Sequence, residues 1–166
     1  MSISAEQLLR DLGQNIGLAH PLAFNAQHCA RLMVGERVGI DFEHLPDEQI
    51  VQMYCVLGGI PAGGLESLYR ELLEANLFGD GTQGATLGLD GGQRQIVLSR
   101  ALALEHMTSP TMLQVFERFI NTSEHWVRRL ESIGPSEKAD ARVDAAATSV
   151  GTSSVQSVPD HLMMRV

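Results

Sequence analysis

The stretch LFGDGTQGATLGLDGG, Leu77 to Gly92, sets the strongest limit on how this chain can fold. Glycine this dense neither continues a helix nor fills a strand, so the segment must turn the chain. Within it Gly79, Gly81 and Gly84 spell G-x-G-x-x-G. In a dinucleotide site that pattern leaves a strand and enters a helix, whose free N–H groups and positive dipole end then face the pyrophosphate. Here the order is reversed. A leucine-rich helical pattern precedes the glycines and an apolar strand pattern follows them, so the nearby helix end presents carbonyls, the wrong sign for phosphate. The loop also lacks the lysine of a Walker loop. The glycines therefore read as structural, with Gly79 as a helix C-cap and Gly81 and Gly84 in turn conformations closed to other residues.

The rest of the chain arranges itself around that turn. Ser4 followed by Gln7 forms a capping-box signal, and Leu8, Leu9, Leu12 and Ile16 recur at helical spacing before Gly17. This predicts a first helix over Ala5–Ile16. CARLMV (Cys29–Val34) and VGIDFE (Val38–Glu43) read as strands. The second alternates Val38, Ile40 and Phe42 against Gly39, Asp41 and Glu43. IVQMYCVL (Ile50–Leu57) is apolar on both faces, as a central strand would be. Short turns between the three predict an antiparallel meander. A second helix is predicted over Leu65–Asn76, with Leu65, Leu68, Leu72 and Leu73 on one broad stripe and Tyr69 beside it. Ala85–Leu89 and Gln95–Ala101 flank DGGQR as a hairpin. Ser109, followed by Pro110, reads as the N-cap of a last helix that Gly134 and Pro135 end. The predicted fold is α+β, in the order α-βββ-α-ββ-α. From Ser136 onward the residues are mostly Ala, Ser, Thr and Val without an aromatic. That predicts a folded domain over 1–134 and a low-complexity, disordered tail over 135–166, with HLMMRV as a short sticky end.

Charge and composition narrow the function. The chain has 166 residues and a net charge of −8, and its pI is about 5.1. A nucleic-acid binder would show a basic face, and an anionic membrane would repel this chain. The first residues carry Glu6 and Asp11 in an amphipathic pattern, unlike a signal peptide. The long uncharged span Gln49 to Leu65 is broken by Gly58, Gly59, Pro61 and Gly63, so no membrane helix fits there. A cytoplasmic protein is expected, with Cys29 and Cys55 as reduced core residues.

No catalytic constellation stands out. The histidines fall at no metal-ligand spacing, and H-E-x-x-H, C-x-x-C and G-x-S-x-G are absent. His28 and Cys29 are neighbours in a strand-like run, where alternation sends side chains to opposite faces, wrong for a base and its nucleophile. Asp41 and Glu43 share a strand face, which commonly means a solvated face. No enzyme, metal or cofactor is expected. Binding remains. Met33 and Met53 sit in the sheet, and methionine is an adaptable residue of apolar binding surfaces though more often simply core. The leucine stripe of the second helix could pack on the sheet or on a second copy of the chain.

The segment EANLFGDGTQGATLGLDGGQRQIVLSRALALEHMTSPTMLQVFERFINTSEHWVRRL resembles the Tir chaperone (CesT) family, the class I chaperones of type III secretion. The similarity lies in the NLF helix exit, the glycine-rich approach to ATLGLD, the hairpin into VLSRALAL and the last helix with FERFIN and EHW. It spans about Ser4 to Leu130. The resemblance implies a homodimer without enzymatic activity that keeps the N-terminal region of a secreted effector extended, soluble and ready for export, without ATP. It implies a middle-helix dimer interface, here Leu65, Leu68, Tyr69 and Leu72, and a client surface of apolar patches and strand edges, for which Met33, Met53, Leu32 and Phe24 are the candidates. The alternatives are a regulatory adaptor of the same fold and, further off, a small nucleotide-binding enzyme.

Overall fold

The computed structural model describes residues 3–133. The tail expected at 135–166 and its HLMMRV end lie outside the described residues. The elements run α1 (Ala5–Asn15), β1 (Cys29–Val34), β2 (Val38–Leu45), β3 (Ile50–Gly59), α2 (Leu65–Asn76), β4 (Thr86–Asp90), β5 (Gln95–Ala103) and α3 (Ser109–Ile133). The α+β fold and its element order match the expectation. β2, β3 and β5 extend beyond the alternating runs because their hydrogen-bond ladders continue past the last patterned residue.

All five strands form one antiparallel sheet in the order β1-β2-β3-β5-β4. β3 lies at the centre, as its two apolar faces require. Val38, Ile40 and Phe42 of β2, Val51, Met53, Cys55 and Leu57 of β3, and Ile96, Leu98 and Leu102 of β5 form the inner face. α3 packs on β2 and β3, α1 packs on α3, and α2 lies along β4. Phe42 stacks on Phe116 of α3, with centroids 6.1 Å apart.

Local chemistry sets the helix ends. Ser4 Oγ accepts the Gln7 N–H at 3.1 Å. The Gln7 side chain does not complete the box; it donates to Asp11 at 2.5 Å. Gly17 adopts φ 74°, and the Leu18 N–H returns to the Gly13 carbonyl at 3.0 Å, closing a Schellman motif. α3 begins one residue earlier than its sequence signal. Thr108, not Ser109, is the cap, since its Oγ1 accepts the Thr111 N–H at 3.3 Å and its carbonyl accepts the Met112 N–H at 2.8 Å. Ser109 is thereby freed to donate its hydroxyl to Asp11, tying α3 to α1.

Candidate interaction surfaces

The glycine loop is a self-satisfied turn. The Gly79 carbonyl accepts the N–H groups of both Thr82 and Gly84 at 3.3 Å, and the Thr82 carbonyl accepts that of Ala85 at 3.0 Å. The Gly81 N–H goes to Ala75 of α2 at 3.1 Å. These four amides are spent on the chain's own carbonyls, so they do not form a phosphate cradle. Trp126 of α3 donates its indole N–H to the Gly81 carbonyl at 3.1 Å, and Arg100 donates to the Gln83 carbonyl at 2.9 Å. Gly84 has φ 80°, as expected. Gly79 closes the 3₁₀ turn Leu77–Gly79 rather than α2 itself, which ends three residues earlier at Asn76. Gly81 is glycine for a different reason from the one expected. A Cβ there would lie 2.7 Å from the Ala75 Cβ.

The loop brings β4 back along α2 and fixes which side of α2 faces out. Leu68 and Leu72 point into the protomer's own core. Leu65 and Tyr69 are half-buried. The broad leucine stripe thus splits into two faces, because a helix turns 100° per residue and the sheet covers only one side. Leu68 and Leu72 are accordingly corrected from interface to core. The outward row, spaced by four, is Leu65, Tyr69, Leu73 and Leu77, with Leu73 70% and Leu77 60% exposed. Phe78 follows, 92% exposed and held at φ 56°, an unfavourable backbone region for a bulky residue. Leu73, Leu77 and Phe78 were not among the expected site residues. The signal for Leu73 and Leu77 was the continuation of the i+4 row through the helix exit, and Phe78 lies one residue beyond that row.

The candidate client residues also divide. Met53 is fully buried and Leu32 nearly so, since their strand partners Phe42 and Ile40 lie on the inner face. Both are corrected from surface to core. Met33 is on the outer face of the sheet and 55% exposed. Phe24, in the segment leading to β1, is half-buried with its ring 5.7 Å from that of His44. Beside Met33, Arg31 grips Asp41 of β2 at 2.8 and 2.9 Å. Burial pushes the Asp41 carboxyl above its usual range, and Arg31 pulls it back. Burial and the Asp41 charge likewise push the Tyr54 phenol up.

β1 and β4 are the two edges of the sheet. At β4, Asn76 closes the ladder with its side chain. Its Nδ2 donates to the Leu87 carbonyl at 2.9 Å, and its Oδ1 accepts the Leu87 N–H at 2.8 Å. At β1, Asn25 does the same for Cys29, accepting its N–H through Oδ1 at 3.0 Å and donating its own N–H to the Cys29 carbonyl at 2.8 Å. The antiparallel alternation then turns the main-chain groups of Arg31 and Met33 to the free edge.

Among the described residues, no group of three or more His, Cys, Asp or Glu is placed to hold a metal ion. No described helix is long and apolar enough to cross a membrane. α3 backs the sheet and an apolar row beside α2 faces outward, and a family model matches the chain across residues 7–127. The chain belongs to the Tir chaperone protein (CesT) family. A Chlamydia pneumoniae relative of this CesT-family chain is 29% identical over 126 residues, 75% of this chain and 95% of the relative. The solved ExsC–ExsE complex is similar in fold, with a TM-score of 0.64 and 19% identity over 77% of this chain and 96% of that one. The HopA1–SchA chaperone–effector complex gives 0.59 and 17%, over 75% and 91%. The heterodimeric ExoU–SpcU complex from the type III secretion system of Pseudomonas aeruginosa gives 0.57 and 18%, over 78% and 96%. At these identities the likeness is one of fold.

Proposed function

We propose that this CesT-family chain is a cytoplasmic, non-catalytic chaperone that binds the N-terminal region of a type III secreted effector and keeps it extended and export-competent. The observation that carries this is the pairing of an open β1 edge with the exposed Met33 side chain beside it. Main-chain groups on the edge can bond any extended client, while neighbouring apolar side chains select its residues. Family membership and fold neighbours solved as complexes, one of them named chaperone–effector, support the same reading. No ATP is required, because an extended client needs only to be held, not refolded.

The working form is a homodimer joined through the outward row of α2. Leu65, Tyr69, Leu73 and Leu77 are spaced evenly about Glu71. Two antiparallel copies would set Leu65 against Leu77 and Tyr69 against Leu73, the self-complementarity a two-fold interface needs. The folded, client-binding unit is residues 1–134, so removing 135–166 leaves the melting transition unchanged.

Met33→Glu tests the client surface. It places a charge beside the open edge without touching the core, so client capture should fall at least tenfold while the melting transition stays in place. Unchanged capture would remove β1 from the client site. A bound partner that is never exported would instead favour a regulatory adaptor built on the same surfaces.

A further inference from the structure

Strand edges are indiscriminate, because an unpaired row of N–H and C=O groups bonds any extended chain, including another copy of the same protein. The two edges of this sheet differ in how they meet that hazard. β1 carries the Arg31–Asp41 ion pair beside Met33, a charged group next to the edge that blunts pairing with another copy. β4 has no charge from Thr86 to Leu89, and Leu89 is half-exposed. By side chains alone β4 is the stickier edge. Both edges carry an asparagine cap, Asn25 at Cys29 of β1 and Asn76 at Leu87 of β4, but β1 keeps the outward groups of Arg31 and Met33 beyond its cap whereas β4 keeps only those of Leu89.

The Asn76 carboxamide presents one donor and one acceptor to Leu87, at 2.9 and 2.8 Å. That is the pair of bonds a residue on a neighbouring strand would make. With a period of two, the next outward-facing residue is Leu89, and β4 ends at Asp90. One free residue is too short a template for an added strand. Asn76 reaches this position because it is the last residue of α2 and the glycine loop folds β4 back beside it. Gly81 permits the close approach, since any Cβ there would strike Ala75.

We propose that Asn76 is an edge guard: its carboxamide stands in for a neighbouring strand at Leu87, closes β4 and so restricts strand addition to β1. This rests on the reading of an extended client paired along a strand edge, and it adds which edge is used and what enforces the choice. It also gives the glycine-rich stretch a role in recognition, as the device that holds the guard in register.

The test is Asn76→Ala in the full-length chain, measured without any client. Amide hydrogen exchange at Leu87 should accelerate at least tenfold, and sedimentation should show concentration-dependent assembly beyond the wild-type species. Adding Leu89→Pro, which removes the remaining outward N–H at a position an edge strand tolerates, should abolish that assembly. A folded Asn76→Ala protein that sediments like wild type would overturn the proposal. Assembly that survives Leu89→Pro would overturn it too, by placing the new contact elsewhere. Should Asn76→Ala lose its cooperative melt, Asn76→Ser carries the same two readouts, since its hydroxyl is too short to span both Leu87 groups. As no client is involved, a negative result removes the guard and leaves the chaperone reading standing.

Discussion

Gly81 shows how a single residue can be chosen for space rather than for backbone conformation. Its Cβ would meet the Ala75 Cβ at 2.7 Å and the Ala75 Cα at 2.8 Å. Gly81→Ala should therefore destabilise by about 1–3 kcal/mol, the usual range for overpacking. Gly88→Ala, where nothing lies within 4 Å, should stay within about 0.5 kcal/mol, the usual range for surface changes. Paired urea titrations check both, and equal midpoints for the two variants would contradict the crowding argument. The sequence marked Gly81 as special through its motif, yet only the path of the loop across α2 reveals why. The cysteines make a second residue-scale case. Burial pushes the Cys55 thiol up to about 11, so almost none is thiolate at pH 8. Cys29 is only half-buried, and burial raises its thiol too. Native protein at pH 8 should lose Cys29 slowly to a thiol reagent and keep Cys55, while denatured protein should lose both at one rate. Fast native labelling of Cys55 would show that its site opens. Both were expected from sequence as core thiols, and Cys55 fits that more fully than Cys29.

At the scale of elements, periodicity located the pieces but not always their orientation. The bounds of α2, Leu65–Asn76, were legible from leucine spacing and the flanking glycines. Which leucines face inward was not, because the helix carries leucines on both sides and only the position of the sheet selects one. The difference is testable. Leu68→Asp removes a core side chain, a loss worth about 2–5 kcal/mol from the missing methylenes alone, and buries a carboxylate besides. It should abolish cooperative melting. Leu73→Asp, on the exposed row, should keep the melt and shift sedimentation from dimer to monomer. A stable Leu68→Asp protein, or a Leu73→Asp protein that remains dimeric, would contradict the assignment of faces. The strand block was similarly half legible. Clean alternation in β2 gave its inner face directly. Met33 and Leu32 could not be sorted without the register that sets Leu32 against Ile40 and Met33 against Gly39. The start of α3 slipped by one residue because Thr108 and Ser109 are both good caps, and the choice depends on Asp11 of α1 waiting to accept the Ser109 hydroxyl.

At the scale of the whole molecule, the described residues leave two surfaces for which we propose separate work. The α2 row and Phe78 form one, suited to a second copy of the chain. The β1 edge with Met33 forms the other, suited to an extended client. Neither surface could be delimited from sequence, since each combines residues from elements whose packing only the fold defines. The family resemblance supplied the expectation of a client, and the proposal that it pairs along β1 rests on the open edge and exposed Met33. The most direct measurement is to purify the tagged full-length chain from its own cells, identify the bound protein by mass spectrometry and map the client's protected segment by hydrogen exchange. The account predicts one stoichiometric exported protein, protected over its N-terminal region, that is lost from Met33→Glu and retained when ATP is depleted. An exported partner protected elsewhere, or capture unaffected by Met33→Glu, would contradict it.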